Sequence, residues 1–233
     1  MSAENYTWRT PQFVRDFDKS IARVKAMVIY HHGAERAVGL IRESRQEYHV
    51  LIPQIPYIGV RNPFLVFLLP TTRYLAVYRT LRRHGTTVED AGQTAYAMGE
   101  AELKAIPRLV RRGIGSLWFS PLFLGRLRKS AAESQKRRYP GDFVFQYVQG
   151  NGRDFDYGID YIECANCKFL FAQGASELAP YVCAVDKVAS EMMKWGLTRT
   201  TTLAEGGEKC DFRFKKGGKT QVEIPRSLKH IGV

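Results

Sequence analysis

Tyr139-Pro140-Gly141 divides the chain into two stretches of different hydrophobic period, and that break limits the fold more than any other feature. Upstream, Phe13, Phe17, Ile21, Val24 and Val28 recur at three- and four-residue spacings, the period of a helix lying on a core, and Gly33 offers a stop. A second helix is predicted over 35–50, with Val38, Ile41 and Tyr48 on its apolar side. "LIPQIPYIGVRNP" holds Pro53, Pro56 and Pro63 and reads as an extended loop. A third helix is predicted over 72–84. A fourth, over 88–105, is opened by a capping box of Thr86 and Glu89. Bulky apolar residues interleaved with Arg and Lys follow up to Ser130.

Downstream of the break, "DFVFQYVQG" alternates like a strand. Residues 156–158 read as strand or loop and 162–171 as a helix. A helix over 177–194 is capped by Ser176, tolerates Pro180 in its first turn and ends at Gly196. A hairpin closes the pattern, with strands 197–203 and 209–215 around a turn at 205–208. The expected fold is α+β, a single domain over 1–233. A mainly helical, basic layer (1–140) packs on a small antiparallel sheet formed mainly by the α+β stretch 141–217, and 218–233 is a loosely ordered tail.

Charge follows the same division. Residues 1–140 carry 23 Lys/Arg against 11 Asp/Glu, whereas 141–233 carry 12 of each, so the net +12 belongs wholly to the helical part. All four cysteines lie in the neutral part. No nucleic-acid motif accompanies the basic region, which leaves solvated helix faces or peripheral membrane contact through 104–138. The most apolar stretch, Pro63 to Tyr78, is interrupted by Pro70, two threonines and Arg73 and is too broken for a membrane span. The polar N-terminus lacks a signal-peptide core, so a cytoplasmic protein with reduced thiols is expected.

Cys164 and Cys167 are three residues apart on a predicted helix and share a face, as do Cys183 and Asp186 on the next. Cys210 and Asp211 open the last strand and point to opposite sides. Three uses remain open for these sulfurs: filling a core, holding zinc or iron, and catalysis with one cysteine as nucleophile or acid and Asp186 as base or orienter. Zinc pairs usually sit on knuckle turns, which this helical C-x-x-C is not. Neither a Ser-His-Asp order, a P-loop, a dinucleotide fingerprint nor an H-E-x-x-H motif is present.

"DFDYGIDYIECANCKFLFAQGASELAPYVCAVDKVASEMMKWGLTRTTTLAEGGEKCDFRF" resembles the signature region of the L-2-amino-thiazoline-4-carboxylic acid hydrolase family. The matching elements are Tyr161, Glu163 and Cys164, then Cys183 and Asp186. The run from Gly196 and Leu197 through Arg199, Thr200, Thr202, Ala204 and Gly206 to Cys210, Asp211, Phe212 and Phe214 completes the match. The resemblance implies hydrolytic opening of a cyclic amidine ring, with no cofactor and a small substrate carrying a carboxylate. On that basis the expected catalytic residues are Cys183, Asp186, Cys164 and Cys210. The expected substrate-binding residues are Arg199, Thr200, Thr202, Gly206 and Glu163. Arg199 offers a fork for the carboxylate, and the Thr-Gly stretch offers hydrogen-bond donors. Cys167 is not required by the family pattern. A related heterocycle in a biosynthetic pathway would need the same residues. A non-catalytic module binding a small molecule or a metal, loosely similar to 4-vinyl reductase domains, is the alternative. Because Arg199 and Thr202 alternate on a regular strand, both reach one cavity only if the strand is irregular between Arg199 and Gly206.

Overall fold

In a computed structural model describing residues 5–229, six helices precede the break at 139–141: α1 (Thr10–His32), α2 (Ala34–Leu51), α3 (Leu65–Arg83), α4 (Val88–Lys104), α5 (Arg108–Leu117) and α6 (Pro121–Ser134). The second part runs β1 (Val144–Gln149), β2 (Tyr157–Glu163), α7 (Ala165–Ala172), α8 (Ala179–Met193), β3 (Leu197–Arg199), β4 (Cys210–Phe214) and β5 (Gln221–Val222). The fold is α+β. Its sheet has the order β1-β2-β4-β3-β5, antiparallel throughout except for the parallel pair β3–β5.

Several elements depart from the sequence pattern for local reasons. In α2 the buried side is Ala37, Leu40, Ser44, Tyr48 and Leu51, so Val38 faces outward at 62% exposure; small residues let α1 and α3 pack close. Helix α3 starts seven residues earlier than expected. Its first turn forms on short-range bonds such as Phe67 N–H to the Phe64 carbonyl (3.0 Å), and Pro70 sits where its missing N–H deprives only the Val66 carbonyl, on an exposed residue. The cap of α4 is Thr87, whose hydroxyl oxygen accepts the Asp90 N–H at 3.0 Å; the box is shifted one residue from Thr86 and Glu89. Ser176 makes no capping bond, because a short 3-10 turn (Ser176–Leu178) precedes α8.

Two corrections matter for the site. The predicted helix over 162–171 is a strand through Glu163 and a helix only from Ala165, so Cys164 is the N-cap at the junction. Strand β3 stops at Arg199 rather than running to Leu203, and a 3-10 turn (Leu203–Glu205) follows. The tail also differs from expectation over its described part. β5 pairs with β3, Leu228 is buried, and the Ser227 carbonyl accepts a 3.0 Å hydrogen bond from the Gln93 amide.

Register places the side chains. Phe145 pairs with Tyr161, Tyr161 with Cys210, Ile159 with Phe212, and Leu197 with Phe214. Paired residues point to one side of a sheet, so this side carries Phe145, Ile159, Tyr161, Cys210, Phe212, Phe214 and Leu197. The opposite side is polar: Asp160 there bonds Lys209 (2.6 Å) and Arg213 (2.7 Å). Helices cover the apolar side. Among them, Glu102 on α4 ties in Arg73 (3.0 Å) and Tyr74 (2.9 Å) from α3 and Ser20 from α1, which satisfies a carboxylate in a mostly buried place.

Candidate active site

Between that face of the sheet and α8 lies a cavity of about 100 Å³, lined in part by Cys164, Asn166, Cys183, Asp186, Arg199 and Cys210, with aromatic walls that include Tyr161, Trp195 and Phe212. That is room for roughly three waters or one small ring. The sequence-expected residues divide cleanly here. Cys164, Cys183, Asp186, Cys210 and Arg199 line it; Glu163, Thr200, Thr202 and Gly206 do not.

Each exclusion has a structural cause. Glu163 turns away to pair with Arg137 (2.8 Å) and Lys168. The Thr200 hydroxyl donates to Asp211 Oδ2 at 2.6 Å, while Thr200 N–H and Thr201 N–H both donate to Asp211 Oδ1 at 2.8 Å. Thus the aspartate on the far side of β4 holds the chain where β3 ends. Burial works against its charge, but these donors keep the Asp211 carboxyl below the usual range. Thr202 is buried, yet its hydroxyl caps the 3-10 turn, accepting Glu205 N–H (3.2 Å) and donating to Glu205 Oε2 (2.7 Å). Gly206, at φ 84°, ends that turn. The irregularity expected between Arg199 and Gly206 is present, but it builds a hydrogen-bonded turn and brings no threonine into the cavity lining. The Leu203 N–H from this loop donates to Cys210 Sγ at 3.2 Å.

Arg199 is buried, its side chain 3% exposed, and it crosses from β3 to α8. Its Nη1 donates to Asp186 Oδ2 at 2.6 Å and to the Cys183 carbonyl at 3.1 Å, and its guanidinium lies 5.5 Å from the Phe212 ring centre. Asp186 keeps about 35% of its side-chain surface open. It lines the cavity, and burial pushes the carboxyl up to about 6 despite the arginine. Near neutrality such a group can both give and take a proton.

The cysteines are not equivalent. Cys164 is at the N-terminus of α7, with its thiol drawn below the ordinary value by a hydrogen bond from Cys167. The N–H groups of Cys167 and Asn166 add to this, against the cost of burial. Cys167 itself is held far up by hydrogen bonds to Cys164 and Cys183. Cys210 is pushed up to about 12 by burial, the Leu203 N–H opposing. The three sulfurs therefore differ: Cys164 is more acidic than an ordinary thiol, Cys167 is its donor, and Cys210 resists ionisation. All four are free thiols. Among the described residues no three His, Cys, Asp or Glu side chains are grouped to hold a metal ion, and no helix is long and apolar enough to cross a membrane.

Sequence reading missed Cys167 as a functional partner, and it missed Asn166 and Trp195. The last two border the cavity and carry buried polar atoms, Asn166 Oδ1 and Trp195 Nε1, without a hydrogen-bond partner. Orphaned polar atoms beside a cavity are what a polar ligand would satisfy. Their only sequence signal was proximity to cysteine or to a helix end.

Comparison with protein families supplies the deciding observation. The family model for L-2-amino-thiazoline-4-carboxylic acid hydrolase matches residues 70–214, more than half of the chain and every residue lining the cavity except Phe67. The chain belongs to this family. No curated protein and no solved structure gives a comparable match. In this member of the L-2-amino-thiazoline-4-carboxylic acid hydrolase family, the matched segment contains all four cysteines and both members of the Arg199–Asp186 pair.

Proposed function

We propose that the protein is a hydrolase that opens a small thiazoline-type ring at its amidine carbon, with Cys164 as nucleophile and Asp186 as proton carrier. The observation that carries this reading is the pairing of functions across one small cavity. A thiol made more acidic than an ordinary cysteine sits at a helix N-terminus, and a carboxyl raised to about 6 is held by a buried arginine. Membership of the family supports the ring as substrate.

The steps balance as follows. The Cys164 thiolate adds to the amidine carbon, and the C=N electrons move to nitrogen. The adduct collapses by breaking the ring carbon–sulfur bond, and the departing sulfur takes the proton of Asp186. Water then adds to the same carbon while Asp186 takes back a proton. The hydroxyl proton passes to the ring-derived nitrogen as the bond to Cys164 breaks, which restores the thiolate and leaves a urea with a free thiol. The net change is one water added and one ring C–S bond broken. Proton transfer by a positioned group is worth about 10²–10⁴-fold. Arg199 acts here as a positioning residue for Asp186, and its shared guanidinium is also the nearest cation for a substrate carboxylate.

Rapid quenching with 2-amino-thiazoline-4-carboxylate, followed by mass spectrometry of the protein, tests the reading. The wild type is expected to carry an S-linked adduct on Cys164, and Asp186→Asn to lose about 10²-fold or more in turnover. Undiminished turnover in Cys164→Ala would remove the covalent step and leave Asp186 activating water directly.

A further inference from the structure

The cysteine cavity does not stand alone. A second chamber of about 420 Å³ adjoins it and shares four walls: Phe67, Trp118, Ile159 and Tyr161. Its remaining surface comes from Pro63, Phe64 and Val66 at the start of α3 and from Phe123, Leu127 and Ser130 on α6, with Arg126 and Lys129 beside them. Leu127 and Ile159 are buried at its floor, whereas Val66 (65% exposed) and Phe67 (40% exposed) are at its mouth. Arg126 and Lys129 are exposed, so their stems extend the wall while their charges stay in water.

A five-membered ring with a carboxylate fills the inner cavity and leaves the outer chamber empty. The outer chamber is about four times larger, within the usual range for small-molecule sites, and almost wholly apolar. Open apolar surface of this kind usually marks a binding site. The four shared side chains set the outer chamber directly against the site of reaction. Building on the ring-hydrolase reading, we infer that the substrate is a small heterocycle bearing an apolar arm, alkyl or aryl. The ring enters the cysteine cavity, and the arm lies along Phe64, Trp118, Leu127 and Ile159 and leaves between Val66 and α6. The bare thiazoline acid is then a minimal fragment of the substrate.

Binding of two homologous series tests this, both built on 2-amino-thiazoline-4-carboxylate. One carries n-alkyl arms on the exocyclic nitrogen, the other carries them as amides of the carboxylate. Dissociation constants are measured by calorimetry on Asp186→Asn, in which turnover is slowed, and hydrolysis of each member is followed separately on wild type. In one of the series affinity should rise roughly fourfold per methylene over the first several carbons, the value for burying about 0.8 kcal/mol per CH₂. Ser130→Trp, which fills the chamber from α6, should flatten that dependence; Val66→Trp at the exposed mouth serves the same purpose if the first variant folds poorly. Affinity independent of arm length in both series overturns the inference, even if the parent ring is hydrolysed. A clear chain-length dependence with no hydrolysis of any member upholds the chamber and overturns the hydrolase reading instead.

Discussion

Cys167 lines no cavity, yet it sets the chemistry of the sulfur that does. Its thiol donates toward Cys164, and this bond is the largest influence lowering Cys164. Cys167→Ala should therefore raise the Cys164 pKa and slow its alkylation by iodoacetamide at pH 7. Cys167→Ser, which keeps a donor, should restore most of the rate. Equal slowing in both variants would show a packing effect alone. Arg199 allows a signed prediction of the same kind. Burial holds Asp186 at about 6 and Arg199 pulls it down, so removing the positive charge in Arg199→Gln should let the carboxyl rise further. The alkaline limb of kcat/KM, where the protonated form that serves the departing sulfur is lost as pH rises, should move to higher pH. A limb that stays put would mean that another group controls it. The Cys183–Asp186 pair was legible at this scale because a spacing of three residues places both side chains on one face of α8, whereas Cys164 reaches the cavity from a strand–helix junction. The difference between the cysteines was not, since it depends on which sulfur receives the helix N–H groups.

Between elements, close approach decides more than hydrophobic pattern. A Cβ on Gly92 of α4 would lie 2.6 Å from the Tyr181 ring on α8, and one on Gly115 of α5 would lie 2.2 Å from the Met193 carbonyl. These contacts hold α4 and α5 against the helix that carries Cys183 and Asp186. Gly115→Ala should lower stability by about 1–3 kcal/mol through overpacking. Gly113→Ala, one turn-neighbour away with nothing within 4 Å, should raise it by up to about 1 kcal/mol through helix propensity. Urea titration checks both as midpoint shifts at unchanged slope. The strand–helix junction at Cys164 escaped sequence reading for a related reason. "YIECANCKFLF" is apolar enough for either period, and only pairing with β1 and β4 settles it as strand up to Glu163. The short β3 was hidden likewise, because Asp211 captures Thr200 and Thr201 from across the hairpin.

For the molecule as a whole, the division at 139–141 foretold the α+β arrangement, since a change of period is a change of element type. The joining of the two parts into one site was not legible. Phe67 of α3 and Trp118 after α5 reach the cavity from the basic half, across more than forty residues of sequence, and no local pattern encodes that approach. The same two residues also wall the outer chamber, together with Ile159 and Tyr161 of the neutral half, which holds all four cysteines and the Arg199–Asp186 pair. Titration of denatured, unreduced protein should count four thiols, consistent with the free cysteines; a count of two would mean that oxidation alters the sulfur cluster. The most direct measurement is product analysis by mass spectrometry after incubation with 2-amino-thiazoline-4-carboxylate and its alkyl-armed derivatives. The account expects the gain of one water with a new free thiol, and loss of that product in both Cys164→Ala and Asp186→Asn. Unchanged substrates, or a product formed equally by the folded variants, would contradict it.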